Sequence, residues 1–99
     1  MWAMNSYPIN TLVSIDIVVK TPAGVLIDPS TLTCDVNDPS GTTTTYTYGV
    51  DITFLRNSLG NFTLEVDGNA HGMWFYHPEA SGNVEVSGDG YFFIKEAYA

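Results

Sequence analysis

The stretch Val13-Ser14-Ile15-Asp16-Ile17-Val18-Val19-Lys20 sets Val13, Ile15, Ile17 and Val19 at every second position. In an extended chain successive side chains point to opposite faces, so these four share one face and Ser14, Asp16, Val18 and Lys20 the other. A helix would need its apolar residues three and four apart. The same period returns downstream. Leu32, Cys34 and Val36 alternate with Thr31, Thr33, Asp35 and Asn37. Phe62, Leu64 and Val66 alternate with Asn61, Thr63, Glu65 and Asp67, and Val84 and Val86 with Asn83, Glu85 and Ser87. One-sided alternation belongs to antiparallel strands with one face in a core and one in water.

Turn chemistry separates these runs. Thr21-Pro22-Ala23-Gly24 closes the first. Asp28-Pro29-Ser30 and Asp38-Pro39-Ser40-Gly41 bracket the second. Asn57-Ser58-Leu59-Gly60 precedes the Phe62 run, Asp67-Gly68-Asn69-Ala70-His71-Gly72 follows it, and Ser81-Gly82 and Gly88-Asp89-Gly90 complete the set. Proline fixes φ, glycine supplies positive φ and aspartate caps its own turn, the reading given to Asp28, Asp38 and Asp67. Breakers at intervals of roughly ten residues mark a sandwich or barrel. Thr42 to Tyr48 is repetitive, but β-branched and aromatic residues form strands, and Tyr46 and Tyr48 would share a face. Tyr91 to Lys95 reads as a last strand, with Phe92 and Ile94 inward and Tyr91, Phe93 and Lys95 outward. A single helical turn is expected at Arg56-Asn57-Ser58. The fold class is therefore all-β, an antiparallel sandwich of about seven or eight strands with no significant helix. Residues 10–99 form one domain, and residues 1–9, holding Trp2, Met4, Tyr7 and Ile9 outside the pattern, form an N-terminal arm that either folds back on its own domain or docks on a neighbouring subunit.

Composition limits what such a domain can do. Ninety-nine residues with 44% apolar and 13% aromatic side chains suffice for one core. Eleven acids face three bases, Lys20, Arg56 and Lys95, for a net charge of −8. That balance disfavours nucleic acid and anionic membrane, which need clustered cations. The simpler reading of the charge is a soluble, self-repelling surface; the sharper one is a basic partner or bound calcium. One cysteine, Cys34, cannot form an intrachain disulfide. The first residues have neither the basic nor the apolar region of a signal peptide, so synthesis in a reducing cytoplasm is expected. Asn61-Phe62-Thr63 matches a glycosylation tripeptide but lies inside an expected strand, and is read as coincidence.

The residues suggest no catalytic machinery. No glycine-rich phosphate loop, cysteine pair or nucleophile elbow is present. His71 and His77, six apart on one strand, would stand about 20 Å apart, too far to share a metal unless a turn intervenes. The acids are scattered, whereas calcium needs six to eight converging oxygens. No enzyme, metal or cofactor is therefore expected. Cys34 falls on an inward position and reads as core. In Gly72-Met73-Trp74-Phe75-Tyr76-His77, Trp74 and Tyr76 point inward and Met73, Phe75 and His77 outward. Both faces are then apolar or aromatic, so the outer one needs a cover, either a loop or another subunit. The expected core comprises Leu32, Cys34, Phe62, Leu64, Trp74 and Tyr76.

Asp67 through Tyr76, with its G-x-W-x-Y run, resembles the corner between two late strands of immunoglobulin-like domains, where a buried aromatic bonds back to the turn backbone. Trp74 takes that place, Tyr76 stands where the second disulfide cysteine would be, and Cys34 has no cysteine to meet. The order of motifs across residues 25–95 resembles small structural proteins of tailed bacteriophages. It runs through Asp28-Pro29-Ser30-Thr31-Leu32-Thr33, Asp38-Pro39-Ser40-Gly41-Thr42, Tyr46-Thr47-Tyr48-Gly49, Gly60-Asn61-Phe62, Gly72-Met73-Trp74-Phe75-Tyr76, Ser81-Gly82 and Gly90-Tyr91-Phe92-Phe93-Ile94. The resemblance implies a non-enzymatic virion component, made in the bacterial cytoplasm, that decorates the head or belongs to the tail. Its partners would be major capsid or tail proteins and copies of itself. Aromatic anchors supply most interface energy, and the expected ones are Trp2, Tyr7, Phe75 and Phe93. A module binding sugars or a host surface is the alternative.

Overall fold

A computed structural model of the chain describes residues 6–96. Its strands are β1 (Ser6–Pro8), β2 (Thr11–Val18), β3 (Thr31–Asn37), β4 (Thr43–Thr47), β5 (Phe54–Ser58), β6 (Asn61–Gly68), β7 (Gly72–Ser81), β8 (Val86–Ser87) and β9 (Gly90–Lys95). No helix occurs among the described residues. The larger sheet runs β1-β9-β7-β3-β4 with β8 beside β7, and the smaller runs β2-β6-β5. With β2, β6 and β5 as strands B, E and D, and β3, β7 and β9 as C, F and G, this is the immunoglobulin order, with β4 as an added C′. The total passes seven or eight because β1 and β8 are short separate pieces.

The core lies between the two sheets. The alternating sets meet there: Val13, Ile15, Ile17, Phe62, Leu64 and Val66 from the smaller sheet, and Leu32, Cys34, Val36, Trp74, Phe92 and Ile94 from the larger, all buried. No buried residue among those described is polar or charged. Alternation carried the assignment because register is strict. Each residue of β2 from Thr11 to Val18 pairs with one of β6 from Gly68 to Asn61 without interruption, and a slip of one residue would turn every apolar side chain to water.

Four expectations are corrected. Ser6–Pro8 is not an arm: β1 pairs parallel with β9, Tyr7 opposite Ile94, and Tyr7 packs edge-on against Phe92 at 6.1 Å. Met1–Asn5, with Trp2, lie outside the described residues. Arg56-Asn57-Ser58 is extended, not helical, because a two-residue turn at Leu59-Gly60 folds β5 onto β6; a register shift between Arg56 and Ser58 absorbs the irregularity. Gly60 has φ +70°, and a Cβ there would meet the Val19 carbonyl, so the turn requires glycine. The Val84–Val86 run shrinks to Val86–Ser87, because Asn83 is drawn aside, accepting from Ser30 N–H at 2.9 Å and donating to the Asp28 carbonyl at 3.0 Å. Val84 is buried all the same. Finally, Asp28 does not cap its own turn. It accepts from Gly60 N–H at 2.9 Å and pairs with Arg56 at 2.9 Å, stitching the β2–β3 loop to the β5–β6 hairpin.

β7 also runs beyond His77, through Pro78, to Ser81. Proline in an inner strand is tolerated only where no donor is needed. The Pro78 carbonyl accepts from Gly88 N–H, and a strand residue's N–H and C=O point to the same side. The missing donor therefore falls where β8 ends and β9 begins, and the ladder to β3 stays intact with Pro78 opposite Cys34.

Trp74 is buried and stacks on Phe92, its cross-strand partner, at 5.5 Å with 17° between planes. Its indole N–H donates to the Ala70 carbonyl at 2.9 Å, back into the β6–β7 turn. Trp74→Ala should lower the unfolding free energy by about 3–5 kcal/mol. Trp74→Phe, which keeps most of the packing but removes the tether, should cost about 1–2 kcal/mol. Urea denaturation of both variants measures the two contributions, and an unchanged midpoint in the alanine variant would contradict the placement.

Candidate interaction face

Because Trp74 and Tyr76 point inward, the odd residues of β7 point outward. Register then assembles the outer face of the larger sheet. Met73 stands opposite Phe93 and Phe75 opposite Tyr91, with Ser6 flanking Phe93 on β1. Phe75 is 53% exposed and Tyr91 51% exposed, while Met73 and Phe93 are half-buried. Exposed aromatics are expensive to leave in water, and four apolar side chains in two adjacent cross-strand pairs form a contiguous patch rather than scattered exposure.

A polar border lies beside the patch. Asn37 pairs with Phe75 and Asp35 with His77 on the β3 side. Thr43 Oγ1 donates to Asn37 Oδ1 at 2.5 Å and Thr45 Oγ1 to Asp35 Oδ1 at 2.6 Å. His77 Nδ1 meets Asp89 Oδ1 at 2.8 Å and its Nε2 lies 3.6 Å from Glu79. A shallow cleft of about 430 Å³ runs between Asp35, Asn37, Phe75, His77 and Asp89. The hydrogen bond to Asp89, reinforced by the charges of Asp89 and Glu79, holds the His77 imidazole above its ordinary range.

Of the anchors expected from the sequence, Phe75 and Phe93 lie together on this face. Tyr7 does not join them. It faces the interior and strengthens the Phe92 cluster of its own domain. Trp2 lies outside the described residues. Tyr91 and Met73 are members that sequence reasoning placed outward without assigning to an interface. The missing signal was register, which pairs Tyr91 with Phe75 and cannot be read from either strand alone. The expected core residues Leu32, Cys34, Phe62, Leu64 and Trp74 are buried. Tyr76 is half-buried, and its ring lies over Gly90, where a Cβ would collide with it.

The outer face of the smaller sheet has a different chemistry. Asp16, Thr63, Glu65 and Asp67 project there, and Thr63 accepts from Asn57 at 2.7 Å and donates to Asp16 at 3.2 Å. Among the described residues no group of three or more His, Cys, Asp or Glu side chains converges as a metal site would require. Cys34 is fully buried, and desolvation pushes its thiol up to about 12. No helix among the described residues is long and apolar enough to cross a membrane. Comparison with protein-family models, with curated proteins and with solved structures returns no match.

The raised His77 value has a definite sign. A group that binds its proton more tightly when folded stabilises the fold fully below its unfolded value, and that contribution fades as pH rises through the folded value. NMR titration should therefore find His77 above the ordinary histidine range, and Asp89→Asn should bring it down. The Cys34 thiol should resist a disulfide reagent at neutral pH in the native protein and react promptly in urea. Fast native reaction would place the thiol at the surface.

Proposed function

We propose that the protein is a non-enzymatic assembly domain that works by burying the Met73, Phe75, Tyr91 and Phe93 face against a protein partner. The carrying observation is the pairing of Phe75 with Tyr91, each about half in water, on an otherwise well-packed sheet. Interfaces are enriched in such aromatics at their centres and in polar groups at their rims, and the Asp35, Asn37, His77 and Asp89 border supplies such a rim. The order of turn and strand motifs narrows the reading to a virion structural protein of a tailed phage, foremost one that decorates and stabilises the capsid. A symmetric shell offers many equivalent sites, so a modest face suffices for each copy.

One observation favours a second reading as a sugar or host-surface binder. The cleft beside Phe75 sets an aromatic ring next to carboxylate and amide groups, the composition of a saccharide subsite. Against it, Asn37, Asp35 and Asp89 are already engaged by Thr43, Thr45 and His77.

Phe75→Ser combined with Tyr91→Ser should leave the melting temperature within a few degrees while weakening assembly by about 2 kcal/mol or more. Cosedimentation with shells of the neighbouring major capsid protein reads this out. The expected gene neighbourhood holds a terminase, portal or tail-tube gene. A neighbourhood of metabolic genes would overturn the virion reading, and glycan-array hits lost in the same variant would replace it with the second.

A further inference from the structure

We propose that a second copy of this chain pairs with the open edge of β2, joining two smaller sheets into one six-stranded sheet; this surface is separate from the aromatic face. Sheet edges in stable proteins are normally blunted by brevity, proline, bulges or charge. β1 is three residues long and carries Pro8, β4 has five residues, and β5 has five residues, a register shift and Arg56. β2 has only one of these devices, the single charge of Asp16. It runs eight residues without proline or irregularity, and none of its inward side chains is charged. Among the described residues nothing pairs with its outer side. Clefts of about 260 and 550 Å³ flank it, one against Tyr7 and Phe92, the other against Pro78, Ala80 and Val86.

The identity of the occupant follows from register. Val19 N–H bonds to the Gly60 carbonyl, so the odd residues of β2 turn their backbone groups toward β6 and its hairpin. Leu12, Ser14, Asp16 and Val18 therefore turn theirs toward the open side. An antiparallel partner must pair even residues with even ones. When the partner is another β2 and the two-fold axis passes through Ile15, Leu12 meets Val18 and Ser14 meets Asp16, at both ends. Leu12 is 58% and Val18 55% exposed, and each then covers the other. Moving the axis to Asp16 would set two carboxylates directly opposite each other. Moving it to Ser14 would set Leu12 against Asp16. Of these three registers, which keep the most of β2 paired, only the one through Ile15 matches apolar with apolar and leaves no like charges opposed.

Sedimentation of the full chain over a concentration series tests this, with two variants. Ser14→Pro removes an N–H that the β6 ladder does not use, so its spectrum and melting should match the parent while the dimer is lost. Ser14→Lys places an ammonium opposite Asp16 of the second copy, twice per dimer, and should tighten association by roughly three- to tenfold at low salt. A parent that stays monomeric at every concentration overturns the proposal. A Ser14→Pro variant that still dimerises also overturns it. If that dimer is lost in the Phe75 and Tyr91 double variant, self-association belongs to the aromatic face. Should Ser14→Pro fail to fold, looser or unchanged association in Ser14→Lys overturns it equally.

Discussion

The indole of Trp74 is the constraint on which the rest of the sandwich depends. A side chain this large contributes most when buried, but its N–H must then find an acceptor inside. The β6–β7 turn delivers the Ala70 carbonyl at 2.9 Å, and this bond fixes which face of β7 looks inward. Parity does the remainder. With Trp74 inside, Tyr76 follows it inward over Gly90, and Phe92 stacks from the next strand. Tyr7 then closes the cluster from β1. The same parity forces Met73 and Phe75 outward, and register brings Phe93 and Tyr91 beside them. The exposed aromatic face is thus a consequence of how the core is ordered, not an independent feature of the surface.

The two outer faces divide the chemistry of the molecule. The smaller sheet presents Asp16, Glu65 and Asp67, whereas the larger presents aromatic rings bordered by hydrogen-bonded polar groups, His77 with Asp89 and Thr45 with Asp35. On a chain of net charge −8, a protonated His77 would offset part of the Asp89 and Glu79 charge at the edge of the patch. Far from that face, Asp28 and Asn83 hold three loops together through Arg56, Gly60 and Ser30. These bonds are exposed and individually weak, and together they tie the β2–β3 loop to the β5–β6 hairpin and to the segment before β8.

How far the sequence revealed this depended on whether the deciding interaction was local. Period-two alternation in Val13 to Lys20 and in Phe62 to Val66 was enough to place strands and core, because burial of one face is a property of each strand by itself. The Trp74 tether was expected through the resemblance of the Asp67–Tyr76 corner to immunoglobulin-like domains, and its donor and acceptor lie four residues apart. Long-range pairing was not legible. Nothing in Ser6-Tyr7-Pro8 distinguishes a free arm from a three-residue strand, because its partner β9 lies more than eighty residues away. Arg56-Asn57-Ser58 looked polar enough to turn, yet its conformation is set by β6. Pro78 interrupts the donor pattern of a strand, but its missing donor coincides with a gap between β8 and β9 that belongs to another part of the chain. Tyr91 was assigned its direction correctly and its role not at all, because the role comes from the neighbour across the ladder.

The two surfaces are geometrically compatible, which bears on what a dimer through β2 would accomplish. Antiparallel pairing of identical edge strands places the two-fold axis normal to the joined sheet. Both larger sheets then lie on the same side of it, and their outer faces point in the same direction. Two copies of the Phe75–Tyr91 patch would be presented side by side toward one flat partner. A partner with repeated sites would engage both patches at once, and the second contact would form at high effective concentration. Each patch is modest and sits on a strongly acidic domain, so pairing through β2 gives a physical route by which weak individual contacts become durable attachment.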